Sequence, residues 1–139
     1  MATAWQISTT EDITSNDSDK IFTVPANTEW QLLWIWVEYT SSATSGSRLL
    51  EIQLQSSGSN VIAQWQTGVT QNENLTYKYL FATGVPDLKT IRDSGFVMTP
   101  LMGASFLSAG QKLRIWDNVA RDASADDMIV RFEYGYHTI

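Results

Sequence analysis

The sequence predicts an all-β fold, a single antiparallel β-sandwich or jelly roll of about eight strands with an extended N-terminal segment. Three observations predict it. Apolar and polar residues alternate with period 2 along most of the chain, the spacing that turns one face of a strand to a core. Clusters of Gly, Asn, Asp and Ser, at SSATSGS, SSGSN, TQNEN, TGVPD and DNVARDASADD, interrupt the alternation where turns need their dihedrals and local hydrogen bonds. No stretch reads as a helix. At 139 residues the chain fits one domain, which the patterning divides into an arm over residues 1–19 and a sandwich over residues 20–139.

The first nineteen residues, MATAWQISTTEDITSNDSD, are polar and offer only Trp5, Ile7 and Ile13 as apolar anchors, which is too little to form a core of their own. Next comes a corner. FTVPANTEWQL at 22–32 and FLSAGQKLRIW at 106–116 share an aromatic opener, a small-residue turn, two polar residues and a bulky apolar residue. In a two-sheet fold such a corner carries the chain from one sheet to the other, so its repetition predicts two crossings.

The strand that follows the first corner departs from simple alternation. In EWQLLWIWVEYT, Trp30, Leu32, Trp34 and Trp36 share one face, and Leu33, Ile35, Val37 and Tyr39 share the other. A sandwich strand has one core face, so the second must be covered by the N-terminal segment around Trp5 and Ile7, by a loop, or by another subunit. The interface set this predicts is Trp5 and Ile7 with Trp30, Leu33, Trp34, Ile35, Trp36, Val37 and Tyr39. Further strands follow in SRLLEIQLQ, with Leu50, Ile52 and Leu54 inward, in NVIAQWQTG, with Val61, Ala63 and Trp65 inward, and in LTYKYLF, with Leu75, Tyr77, Tyr79 and Phe81 inward. The last has Met128, Val130, Phe132, Tyr134 and Tyr136 in phase.

The charge pattern narrows the partners. Fifteen acidic against nine basic residues give a net charge of −6, which repels a phosphate backbone and argues against nucleic acid as partner. No apolar run approaches the roughly 20 residues of a membrane helix, and the start lacks the basic and apolar regions of a secretory signal, so a chain made in the cytoplasm with no membrane partner is expected. Cysteine is absent, which excludes disulfides, thiolate metal sites and a Cys nucleophile.

Chemistry has few candidates. His137, the only histidine, lies near the C-terminus, where an oriented general base is not expected. The loop WDNVARDASADDM gathers Asp117, Asp122, Asp126 and Asp127, oxygen ligands suited to calcium, although its spacing is not that of an EF-hand. The alternative is a hairpin loop that uses Asp for turn hydrogen bonds. Trp65, Tyr77 and Tyr79 fall in phase with their strands' apolar sets, whereas Trp116 is out of phase beside Lys112 and Arg114, an outward aromatic suited to a sugar ring. An enzyme is not expected, nor a metal or cofactor.

The runs KIFTVPANTEWQLLWIWVEYT, FLSAGQKLRIWD and ASADDMIVRFEY together resemble small jelly-roll proteins among the virion genes of tailed bacteriophages, including the head decoration, or cement, proteins that sit on assembled capsids. The resemblance runs from about Lys20 to the C-terminus. It implies a structural protein of the capsid surface, a homotrimer, the major capsid protein as partner, and a terminal arm that contacts the capsid or a neighbouring subunit. It brings no catalytic or ligand residues. A receptor- or glycan-binding module of a tail or fibre is the alternative.

Overall fold

Ten strands and no helix make up the described part of the chain, residues 4–87, 95–101 and 106–139 of a computed structural model. They are β1 (Gln6–Asp12), β2 (Asp19–Thr23), β3 (Thr28–Thr40), β4 (Leu50–Gln55), β5 (Val61–Gln66), β6 (Thr76–Ala82), β7 (Phe96–Pro100), β8 (Phe106–Leu107), β9 (Lys112–Asp117) and β10 (Asp127–Thr138). The architecture is a β-sandwich. One sheet runs β1-β10-β3-β6-β7 with β8 also on β3, and the other runs β2-β9-β4-β5.

The connectivity follows from one long hairpin. β4 pairs with β5, β3 with β6, β2 with β9 and β1 with β10, all antiparallel. Winding that ribbon on itself adds β10 beside β3 and β9 beside β4, the order of a jelly roll. The eight ribbon strands meet the sequence expectation in number. β7, parallel to β6, and the two-residue β8 are additions that the alternation does not announce.

Both repeated corners cross between sheets, in opposite directions. The first joins β2 of the small sheet to β3 of the large one, and the second joins β8 of the large sheet to β9 of the small one. Asn27 and Gly110 occupy matching places with φ of 57° and 81°, which Asn and Gly adopt at low steric cost. The corners also bind each other, since the Val24 N–H donates to the Gln111 carbonyl at 2.9 Å and the Gly110 N–H donates to the Val24 carbonyl at 3.0 Å.

The core lies between the sheets. Ile35, Val37, Phe81, Met128, Val130 and Phe132 of the large sheet face Leu50, Ile52, Leu113 and Ile115 of the small one, all buried. Each such side chain contributes on the order of 1.5–3 kcal/mol by leaving water. Trp30 closes one end against Phe132 and Tyr134, with ring centroids 5.7 and 4.4 Å away.

One irregularity in β3 decides which tryptophans join this core. Opposite β10, Trp34 pairs with Glu133 and Leu32 with Tyr134, so Leu33 is an extra residue on β3. This β-bulge reverses the phase of the strand. Trp30 and Leu32 therefore turn inward with Ile35, Val37 and Tyr39, while Trp34 and Trp36 turn outward. The grouping of Trp30, Leu32, Trp34 and Trp36 on one face, which unbroken alternation predicts, is corrected by that single residue.

The segment expected as an N-terminal arm carries β1, which pairs along its whole length with β10 as an edge strand. None of its side chains is fully buried. It is held by the ladder, by Thr10 Oγ1 and Gln6 Oε1 on the Tyr134 and Tyr136 hydroxyls, and by the buried Lys20 ammonium, which reaches Asp12 at 3.0 Å and the Thr14 carbonyl at 2.8 Å.

Candidate functional site

The outer face of the large sheet is its apolar face to solvent. Register sets Trp36 beside Leu80 and Leu80 beside Met98, with Trp34 beside Ala82 in the adjoining row. Phe96 extends the patch, its ring 5.8 Å from that of Trp36. Trp34, Trp36, Leu80, Ala82 and the Arg131 side chain line a shallow depression of about 510 Å³. These residues are half-buried rather than covered. A contiguous group of this kind is uncommon on a surface that stays in water and marks a contact site.

Trp5, Ile7 and Phe106 lie on the same outer face, farther along β10. The Trp5 ring sits 4.2 Å from that of His137 and 6.2 Å from that of Phe106. It rests on Gly135, where a Cβ would approach the indole to 3.4 Å. Ile7 is 69% exposed. The described residues of the N-terminal segment therefore do not cover Trp34 and Trp36.

The outer face of the small sheet has the opposite character. Asp19 takes two hydrogen bonds from Arg114, at 2.8 and 2.7 Å, and the guanidinium lies 3.6 Å over the Trp116 ring. Asp19 in turn holds the guanidinium charged, moving its pKa further up. The Trp116 indole N–H donates to Glu51 at 2.7 Å, and Glu51 also accepts from Gln53 and Gln66. Gln53 then accepts from Gln55. The ladder satisfies its own polar groups, and this is how Glu51, Gln53 and Gln55 are buried on a face that alternation assigns to solvent.

Asp117, Asp122 and Asp126 hold loops together. Asp117 accepts from the backbone N–H groups of Leu49, Val119 and Arg121. Asp126, fully buried, takes two hydrogen bonds from Arg48, at 3.0 and 3.1 Å, one from the Ser42 N–H and one from the Tyr39 hydroxyl. Burial would raise the Asp126 pKa, but Arg48 and these donors hold it below the usual carboxylate range. Burial beside the two carboxylates drives the Tyr39 hydroxyl the other way, well above its ordinary value. Asp122 accepts from Ser42 and Thr44, which lower its pKa. Asp127 accepts from the Asn16 N–H and ties the segment before β2 to β10. Among the described residues no three of His, Asp and Glu converge as a metal-binding group.

Of the residues expected at an interface, Trp5, Ile7, Trp34 and Trp36 stand on the outer face of the large sheet, and Leu33 sits in the bulge. Trp30, Ile35, Val37 and Tyr39 lie in the chain's own core, at 6%, 0%, 0% and 1% exposure. Sequence reasoning did not find Leu80, Ala82, Phe96 and Met98, which complete the patch. The signal available for two of them was Leu80 and Ala82 at alternate places on the polar side of LTYKYLFA. His137 contacts Glu29 at 3.3 Å and stacks on Trp5, a packing role.

No protein-family model and no curated protein matches the chain. Among solved structures it is similar to a chain in the structure of infectious bursal disease virus Gx strain, at 11% identity over 99% of this chain and 42% of that one, with a TM-score of 0.35. It is also similar to a chain in the infectious bursal disease virus VP2 subviral particle, at 11% identity over 97% of this chain and 32% of that one, with a TM-score of 0.33. The chain spans less than half the length of each. At scores this low the likeness carries no argument about what the chain does.

Proposed function

We propose that this chain is a non-enzymatic virion structural protein, a capsid decoration protein that self-associates, as a trimer, and bridges neighbouring major capsid protein subunits at the capsid surface. The observation that carries the reading is the patch of Trp34, Trp36, Leu80, Ala82, Phe96 and Met98, left uncovered by the described residues on one broad face, opposite a small-sheet face whose polar groups satisfy one another. One face suits contact and the other suits water. The sequence resemblance to phage decoration proteins supports the same role. Trp5, Ile7 and the edge of β1 add contact area on the apolar side, the part an arm over residues 1–19 plays.

A protein that binds the assembled lattice but not free coat protein stabilises the shell by linkage, about 2.7 kcal/mol per site at a hundredfold excess over Kd. A trimer multiplies this when several subunits engage at once. The test is binding to capsids stripped of the protein. Saturable rebinding that is lost in the Trp34→Ser/Trp36→Ser variant is expected, and equal rebinding by the variant would reject the patch as the contact.

A glycan- or receptor-binding module is the second reading, favoured by Trp116 on the outer face of the small sheet with Arg114 stacked on its ring. Its donors and acceptors are largely engaged within the chain, so no saturable binding on a glycan array is expected. Sugar binding abolished by Trp116→Ala would promote this reading over the capsid one.

A further inference from the structure

We infer that the free edge of β5 is a twofold self-pairing site, where β5 of a second copy adds antiparallel and continues the small sheet across a symmetry axis at Trp65. Among the described residues β5 is the terminal strand of that sheet. Exposed edges are normally blunted by charge, proline or brevity. β1 carries Glu11 and Asp12, β2 carries Asp19 and Lys20, and β7 ends in Pro100, whereas β5, VIAQWQ, has neither charge nor proline. A bulge at Ile62, where Leu54 pairs with Ala63 and Gln55 with Val61, disturbs only the start of the strand.

The direction of the backbone groups fixes the register. The Thr67 N–H donates to the Leu50 carbonyl at 3.2 Å, so that residue turns its hydrogen-bonding groups toward β4. By antiparallel alternation Trp65 and Ala63 do the same, and Gln64 and Gln66 present their N–H and C=O groups to the free edge. With the axis at Trp65, Gln64 lies opposite the partner's Gln66, and Gln66 opposite the partner's Gln64. Each pair exchanges two backbone hydrogen bonds.

The side chains of the same two residues complement each other. The Gln64 carbonyl oxygen accepts from Gln53 at 3.3 Å, which leaves its amide hydrogens for a partner. The Gln66 amide donates to Glu51 at 3.0 Å, which leaves its carbonyl oxygen. A donor on Gln64 therefore meets an acceptor on the partner's Gln66, twice, as a twofold interface requires. The glutamine ladder that starts at Glu51 continues into the second copy.

This contact uses a different surface from the proposed capsid contact and stands apart from it. The test is sedimentation in a Trp34→Ser/Trp36→Ser background, which removes association through the large-sheet patch. That protein is expected to dimerise. Gln64→Lys with Gln66→Lys sets like charges opposite each other at both pairs and is expected to weaken dimerisation by about tenfold or more. Gln64→Lys with Gln66→Glu changes the same two exposed side chains but pairs opposite charges, and is expected to retain the dimer. A monomeric parent at high concentration, or the same dissociation constant for both charged variants, would overturn the proposal.

Discussion

Replacing Asp126 with Ala is expected to lower the stability of the fold by about 3–5 kcal/mol, because it leaves the Arg48 guanidinium buried without its counter-charge. Arg48 and Asp126 are 1% and 0% exposed and meet through two hydrogen bonds. The remaining donors of Arg48 go to the Thr44 and Gly46 carbonyls and the Ser42 hydroxyl, none of which can neutralise it. In the same change the Ser42 N–H loses its acceptor and the Tyr39 hydroxyl keeps only Asp117, at 3.3 Å. Asp122→Asn is expected to cost much less, since that carboxylate serves hydroxyls near the surface. Denaturant unfolding of both variants measures the difference. A loss of under about 1 kcal/mol for Asp126→Ala would show that the loops hold without the pair.

The same group sets a pH dependence. The Asp126 pKa is lower folded than unfolded, so its contribution is fully present above the unfolded value of about 3.9 and is lost as pH falls through the folded value. Asp12, lowered by the Thr14 N–H and Lys20 against its partial burial, acts in the same direction. Stability is thus expected to fall as pH drops below about 4 and to fall less steeply in Asp126→Ala.

Trp34→Ser with Trp36→Ser is expected to weaken trimerisation through the large-sheet patch by on the order of a hundredfold or more while leaving the fold and the β5 contact intact. Buried tryptophans at interface centres typically contribute 2 kcal/mol or more each, although such values do not add. Both rings sit outside the core because of the Leu33 bulge, so their loss empties no internal space. Val119→Ser, an exposed apolar residue in the β9–β10 loop, is the control and is expected to change nothing. Sedimentation over a concentration series reads the effect. A wild-type chain that stays monomeric at high concentration, and forms no trimer on a capsid, would remove the patch from the account.

Much of the fold is legible because burial on one face enforces alternation: the inward sets of β4 and β10 are read directly from Leu50, Ile52 and Leu54 and from Met128, Val130 and Phe132. The paired corners are legible too, since a crossing between sheets needs the left-handed backbone that Asn27 and Gly110 supply. The bulge was not legible. Leu33 is one apolar residue among several, and only its pairing with β10 makes it the extra one. β1 escaped because Gln6 and Thr10 bond tyrosine hydroxyls and, with Ser8 between them, leave no apolar stripe. At the candidate site the two-sided apolar strand was visible in EWQLLWIWVEYT, but its division into core and surface depended on the bulge. The Asp loop shows the same limit, because spacing alone does not distinguish calcium ligands from acceptors for Arg48, Tyr39 and backbone N–H groups.

The proposed contact with an assembled capsid is tested most directly on virions. Particles with and without the protein, and with the Trp34→Ser/Trp36→Ser variant, are heated and the release of their contents is followed, while the protein is located on intact particles. The protein is expected on the head surface, and particles are expected to open at lower temperature when the protein or its patch is missing. Undiminished resistance after complete loss of the protein, or a position at the tail tip, would contradict it.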